Sequence, residues 1–396
     1  MRAKSVDLFG LKSERKSLFN LVFNETSQHF LFNLGWGGRV KPLVSVIIPT
    51  YKRAHTLKYV LEGLKGQTYR NFEVVVVFKA AGDSTEEVLK EYGKDLPIKT
   101  IMQKDGFITD AYNLGLKEAN GQIIAFLDDD AVPYPNWLEE HVRIYNVYRE
   151  VGGISGTTKS ASIRRDEKII QIPEGSIYPY SRKQRHYDFP WASPIRGMSR
   201  YLIFFGKDGL VHHHPRLENK NIHEVFPSLL HMGANMSVRK EAIKGLEINK
   251  DLILGFAFEQ LLSYQIWRLG YKLLYNPNAN VLHLVHSEST GRFFKTPRRA
   301  ALRDAEFVLT FSILKSREKE FSWVAYILGI TTLTISRLMR AREYGLLISI
   351  YRVYGLLSGF VTGCAYMISK TLKRSFPIRT SLSRLLPSTD ARSQLC

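Results

Sequence analysis

Leu43-Val44-Ser45-Val46-Ile47-Ile48-Pro49 is the stretch on which the fold turns. It is a short apolar run, rich in β-branched residues and closed by proline. Valine and isoleucine pack well on a pleated surface and proline cannot continue a central ladder, so the run reads as a buried strand. Working outward, Ala54 to Lys65 places Leu57, Val60, Leu61 and Leu64 at helical spacing. Phe72 to Phe78 is a second apolar strand. Ser84 to Tyr92 reads as a helix, with Glu86 and Glu87 near its positive end. Ile98 to Met102 is a third strand, Asp110 to Ala119 a helix ended by Asn120-Gly121, and Gln122 to Leu127 a fourth strand. Strands alternating with helices predict an α/β fold with a doubly wound, mostly parallel sheet. Such sheets bind ligands beyond the carboxyl ends of their strands. The segments after Ile48 and after Leu127 therefore matter most.

The second of these segments is Asp128-Asp129-Asp130. Three adjacent carboxylates repel one another unless a cation joins them, and carboxylate oxygens suit Mg²⁺ or Mn²⁺, which also bind substrate phosphates. The simpler reading is an acidic turn capping a helix that begins near Pro133.

The composition of the 396 residues bounds the alternatives. An apolar content of 44% with 12% aromatics excludes a disordered or collagen-like chain. Two cysteines, Cys364 and Cys396, cannot form a disulfide framework and point to a reducing, intracellular setting. Met1 to Lys41 is basic, lacks the apolar core of a secretory signal and is expected to be an amphipathic extension. The net charge of +19 is uneven. From Gly291 onward there are 18 Lys/Arg against 6 Asp/Glu, while the rest holds 38 against 31. The surplus is thus a property of the tail, which argues for a membrane surface and against nucleic acid as the partner.

Several motifs occur together in order. They are Val44 to Arg53, Asn113-Leu114-Gly115, Ala125 to Ala131, and Gly233-Ala234-Asn235-Met236-Ser237-Val238-Arg239-Lys240. Glu259 to Tyr271, Asn276-Pro277 and His283 follow. This set, spanning roughly Pro42 to Gly291, resembles the family 2 glycosyltransferases of the GT-A fold. The resemblance implies a nucleotide-sugar donor, Mn²⁺ or Mg²⁺ as cofactor, inversion at the anomeric carbon and a glycan or lipid-linked acceptor. It places Pro49, Thr50, Tyr51 and Arg53 at the nucleoside. Asp128 falls at the ribose and the metal, Asp129 beside the donor, and Asp130 at the metal. His283 falls where the family often has a metal or diphosphate ligand, with His286 as a competitor. Arg292, Arg298 and Arg299 follow as candidates for phosphate. Glu259 aligns with the general base, eleven positions before Gly270, with glutamate in place of the usual aspartate.

There are departures. Lys79 stands where the family commonly has an acid that reads the base, and Tyr112 replaces an arginine before the Asn-x-Gly segment. Lys79 cannot accept a hydrogen bond, so the donor base is left open. No Gln-x-x-Arg-Trp motif is present, which argues against a processive synthase. His212-His213-His214 is expected to be loop or acceptor surface.

The expected domains are an extension over 1–41, a catalytic domain over 42–291 and a basic, apolar helical region over 292–396. The catalytic domain divides into a donor half, 42–156, and an acceptor half, 157–291, the latter with loops and short strands over 157–230. Phe321 to Ser336 and Val353 to Ser369 lack charge but are borderline for the ~20 residues of a span. Basic clusters flank both ends, contrary to positive-inside asymmetry, so helices lying at the cytoplasmic membrane face fit better than spans over 321–369. The competing readings are a nucleotidyltransferase on a related sheet, a non-catalytic basic nucleic-acid-binding protein, and, for the tail, a soluble helical pair.

Overall fold

The structure is a computed structural model. It describes the chain apart from residues 1–42, 165–166, 173–176, 179–189, 215–223, 232–233, 247, 249–251, 256–257, 285–295, 316–318, 374 and 384–396. The extension over 1–41, His286 and Arg292 therefore lie outside the described residues.

The first strand, β1 (Val44–Thr50), is buried along its whole length. It lies between β2 (Phe72–Phe78) and β4 (Ile123–Phe126), parallel to both, and β3 (Ile98–Met102) extends the parallel set beyond β2. The helices between these strands are α1 (Ala54–Lys65), α2 (Thr85–Tyr92) and α3 (Ile108–Glu118). Side chains alternate across the sheet. Val44, Val46 and Ile48 face a core shared with Leu57, Val60, Leu61 and Leu64 of α1, while Ile47 joins the opposite core with Tyr112 and Phe126. Gly115 lets α3 approach β1 closely, because a Cβ there would collide with Ile47. Asn113 uses both ends of its amide on the backbone of Ile248, at 2.9 Å each, and so ties α3 to a distant loop.

After β4 come β5 (Ala131–Pro133), α4 (Trp137–Val147) and β6 (Val151–Ile163). Short strands β7 (Ile169–Gln171) and β8 (Ile177–Tyr178) pair with β6, and β9 (Ile203–Phe205) with β10 (Val211–His213). The chain continues through β11 (Phe226–Pro227), β12 (Met236–Arg239), α5 (Phe258–Arg268) and β13 (Lys272–Leu284). The main path of the large sheet is β11-β13-β6-β12-β4-β1-β2-β3, with β12 antiparallel to both neighbours and β6 parallel to β13.

Three local expectations are corrected. Residues 157–163, expected among loops and short strands, are the second half of the long strand β6. The apolar runs Tyr271–Tyr275 and Asn280–His283, which by themselves read as two strands, form one strand, β13, with an irregularity between Asn276 and Asn280. Asn235 bridges that irregularity by donating to the carbonyls of Thr157 and Ala279, both at 2.9 Å. His212 and His213 are not acceptor surface but buried parts of β10. His212 Nε2 lies 2.9 Å from Asp208 Oδ1, a compact pair that a loop-based reading could not foresee.

The C-terminal region is helical, as expected. It contains α6 (Pro297–Lys315), α7 (Trp323–Met339), the single turn α8 (Ala341–Tyr344), α9 (Leu346–Thr371) and α10 (Ile378–Ser383). α6 is buried along most of its length and joins the core beneath α3 and α5. Gly355 and Gly359, four apart on one face of α9, allow it to lie directly on the backbone of Ala301 and Ala305. α9 is 26 residues long and apolar enough to cross a membrane by length and composition. Its outer face exposes Leu347, Tyr354, Leu357 and Val361, and α7 exposes Val324, Ile327 and Ile335.

Two buried histidines predict an acid-sensitive core. His141 on α4 lies 2.8 Å from Ser237 Oγ, and His231 lies 2.8 Å from Ser155 Oγ. Burial pushes each down to about 4 from the ordinary 6.5. The unfolded chain then binds the extra protons between these values, so each contribution is complete above pH 6.5 and lost as pH falls towards 4. The linked change is about 3 kcal/mol per histidine. Buried carboxylates titrate in the opposite sense, so a comparison isolates the effect. Across that window His141→Asn should lose about 3 kcal/mol less than wild type in denaturant titrations. Equal slopes would contradict the assignment.

Candidate active site

β1 and β4 end at one edge of the sheet, and the polar segments that follow them meet there. Past β1 the chain turns through Lys52, whose φ of 57° is the left-handed conformation an L-residue adopts at a cost of roughly 1–2 kcal/mol. Arg53 follows, capping α1. Its Nη1 donates to Asp129 Oδ1 at 2.8 Å and to Asp130 Oδ2 at 2.5 Å, and all three side chains are buried. Burial opposes the charge on Arg53, but Asp129, Asp130 and Asp128 outweigh it and hold its pKa above the usual value.

The acids respond to the same crowding. Burial, then Asp130 and Asp129, push Asp128 well above the carboxylate range, with Arg53 pulling the other way. Asp129 is also raised by burial, with Arg53 as the main restraint. Tyr112 of α3 places its hydroxyl 3.3 Å from Asp128 Oδ1. Burial, Asp128 and Glu259 all raise the tyrosine pKa, so the phenol keeps its proton and donates.

His283 arrives through backbone register. β5 leaves directly from Asp130 and pairs antiparallel with β13, which sets His283 opposite Ala131. Leu284 N donates to the carbonyl of Asp130 at 2.8 Å, and His283 Nε2 lies 3.3 Å from Asp130 Oδ1. One ligand atom from each of Asp128, Asp130 and His283 lies within 4.8 Å of the other two. Two carboxylates and an imidazole this close, one carboxyl pushed upward by burial and by its neighbours' charge, fit a divalent cation.

Glu259 sits in the first turn of α5, half-buried, within electrostatic reach of Tyr112 and Asp128. The loop before it is braced from two sides. Thr109 Oγ1 donates to Leu252 O at 3.1 Å. Glu306 of α6, fully buried, accepts from the amides of Ile253 and Leu254. This brace was not among the residues expected from sequence, because a glutamate in an apolar helix carries no motif. Glu306→Ala strands two amides and should destabilise the fold by about 2 kcal/mol. Glu306→Gln keeps an acceptor oxygen and should lose less. Equal losses in urea titrations would mean that the hydrogen bonds are not the cause.

Of the remaining expected residues, Pro49 and Thr50 form the buried end of β1, and Tyr51 begins the turn that Arg53 completes. Arg298 and Arg299 lie in the first turn of α6. Lys79, past β2, donates from Nζ to Gly106 O at 2.6 Å. A cleft of about 1230 Å³ runs along α3, from Gly106 and Asp110 near the carboxyl end of β3 to Gln122 and Lys240 near the start of β4. Its lining includes none of the clustered acids.

The mixed α/β sheet, with its acidic cluster at the carboxyl ends of the parallel strands, has the GT-A type of fold. Residues 45–210 match the family described as glycosyl transferase family 2. An uncharacterized glycosyltransferase of Rickettsia prowazekii is 35% identical over 105 residues, which is 26% of this chain and 32% of that one. The glycosyltransferase AglE of Haloferax volcanii is 36% identical over 121 residues, 29% of this chain and 36% of its own length. The chain thus spans about a third of these two relatives. Among solved structures, GalNAc-T7 with UDP, GalNAc and Mn²⁺ superposes with a TM-score of 0.50 at 16% identity, over 83% of this chain and 57% of that one. That likeness concerns the fold. Glu259 and His283 lie beyond the residues matched by the family.

Proposed function

We propose that the chain is an inverting, non-processive glycosyltransferase that moves a sugar from a nucleotide-sugar donor to a hydroxyl of a lipid-linked or cell-surface glycan acceptor. The observation that carries this reading is the convergence of Asp128, Asp130, His283 and Glu259 at one sheet edge, drawn from three separate elements. Pro49, Thr50, Tyr51 and Arg53 flank the donor nucleoside, with Asp128 and Asp129 beside its ribose. Asp128, Asp130 and His283 hold Mn²⁺ or Mg²⁺, which when bound neutralises charge on the departing diphosphate.

The acceptor oxygen attacks C1 of the sugar as the bond from C1 to the diphosphate oxygen breaks. Glu259 takes the hydroxyl proton, and the nucleoside diphosphate leaves with the bonding electrons. Tyr112 donates to Asp128 throughout and holds that carboxylate in place. Arg53 keeps Asp129 and Asp130 together, because their repulsion in a buried setting would otherwise splay them.

The outer faces of α7 and α9 dock on the cytoplasmic face of a membrane. Their exposed apolar residues, Val324, Ile327 and Ile335 on α7 and Leu347, Tyr354, Leu357 and Val361 on α9, suit the apolar boundary of a bilayer. Arg340 and Arg342 at one end and Lys370 and Lys373 at the other suit anionic headgroups, at ~1 kcal/mol per residue.

The test is product analysis with Mn²⁺ and a panel of nucleotide sugars. Release of nucleoside diphosphate with inversion at C1 is expected. Release of pyrophosphate would overturn the reading in favour of nucleotidyl transfer.

A further inference from the structure

The catalytic reading leaves one long-range clasp unused, between the last described helix and the start of α3. α10 buries Ile378 and Leu382, four apart on one face, in the same core as Tyr112 and Phe258. Arg379 stands beside that face and reaches a carboxylate 269 residues away. Its Nη1 donates to Asp110 Oδ2 at 3.0 Å, and its Nη2 to Asp110 Oδ1 at 3.3 Å and to Thr109 Oγ1 at 3.5 Å. The guanidinium also lies over the ring of Phe107, 4.9 Å from its centroid. Stability does not account for the clasp. The two charged side chains keep 30% and 25% exposure, and pairs so open to water add little to folding. What the fork supplies is direction, since paired hydrogen bonds and a stacked ring fix where Asp110 and Phe107 sit.

The residues it holds lead to the site by two routes. The first is the loop from Gln103 to Phe107, which follows β3 at the same sheet edge as Thr50. Gln103 N donates to Phe78 O at 2.7 Å, and Lys79 N to Thr50 O at 3.4 Å. Asp110 Oδ2, the oxygen that Arg379 Nη1 holds, also accepts from Phe107 N at 2.7 Å. Gly106, at a φ of 101°, has no room for a Cβ beside that carboxylate, and its carbonyl accepts from Lys79 Nζ. The second route is Thr109, whose Oγ1 donates to Leu252 O and so braces the loop ahead of Glu259. Three residues further along α3, Tyr112 carries the hydroxyl that meets Asp128. A shift in the first turn of α3 would therefore move the donor-edge loop, the loop ahead of Glu259 and the Asp128 hydrogen bond together.

We propose that Arg379 is a positioning residue for the transfer: it sets the first turn of α3, and through it both the loop at the donor edge and the loop ahead of Glu259. Arg379 touches no reacting atom and acts through Asp110, Thr109 and Phe107. The C-terminal helical region then shapes the active site as well as the surface of the molecule. This rests on the glycosyltransferase reading above and adds a residue far outside its motifs.

The test uses the full chain with Arg379→Met, which keeps an unbranched stem and removes the fork, and Arg379→Lys, which keeps the charge. Amide hydrogen exchange at Phe107, Ile253 and Leu254 should quicken about tenfold or more in Arg379→Met, with little change in Tm. With Mn²⁺ and the panel of nucleotide sugars, kcat should fall roughly 10–100-fold, the loss that a misplacement of about 1 Å far from the chemistry brings. Arg379→Lys should recover part of both, and it decides the matter if Arg379→Met does not fold. Unchanged exchange at these amides overturns the proposal, as does faster exchange with wild-type kcat. A lowered Tm with wild-type kcat below the transition would make Arg379 a structural tie only and also overturn it. If the wild-type protein releases no nucleoside diphosphate from any nucleotide sugar, the glycosyltransferase reading falls and the positioning role with it. The exchange data then show separately whether the clasp holds the two loops.

Discussion

Glu259→Gln should slow transfer by about 10²–10⁴-fold while leaving donor binding unchanged. Glutamine preserves shape and can still hydrogen-bond, but it cannot take the acceptor proton. The loss should appear in kcat, with the donor KM and the Mn²⁺-dependent rise in Tm retained, because a base acts only as the hydroxyl attacks. Glu259 stands in the first turn of α5, with its preceding loop pinned by Glu306 and Thr109, so the substitution meets a fixed backbone. Activity within twofold of wild type would remove Glu259 from proton transfer.

Asp130→Ala should abolish the Mn²⁺-dependent stabilisation by donor and lower turnover by at least about 10³-fold, since several kcal/mol of charge neutralisation go with the cation. It also removes one of the two carboxylates that Arg53 grips, which makes a folding loss of about 3–5 kcal/mol a competing cause. Asp130→Asn, of nearly equal volume, separates the two. Asp129→Asn gives the contrast, because Asp129 binds Arg53 but is not one of the three groups converging with His283. It should weaken the fold and keep the Mn²⁺ dependence, read as Tm with and without the ion. A full Mn²⁺ response in Asp130→Asn would break the proposed ligand set.

Much of this was legible in the sequence because burial and period are local properties. β1 to β4 and the helices between them lie within a few residues of where apolar spacing puts them. The acid triplet stood out because three carboxylates cannot follow an apolar strand without a compensating charge. The sequence did not reveal which charge compensates. Arg53, expected beside the nucleoside, also sets its guanidinium against Asp129 and Asp130, 76 and 77 residues away. Tyr112 was noticed only as a departure from a pattern, and its hydrogen bond to Asp128 depends on α3 lying close to β1. The histidine run misled, because composition cannot tell a polar loop from a β-hairpin whose polar groups pair internally, as His212 does with Asp208.

The sequence by itself determined the order of strands and helices as far as β4, the acids at the end of β4, the glutamate opening α5 and the basic, apolar character of the tail. Each is written in neighbouring residues, through side-chain periodicity or local charge. Only the tertiary structure decided that His283 meets Asp130, since that depends on the register of β13 against β5. It alone set Glu306 beneath the Glu259 loop and brought Arg379 to Asp110. Those contacts join residues far apart in the chain, and their geometry follows from how closely helices and strands pack, which no single segment encodes.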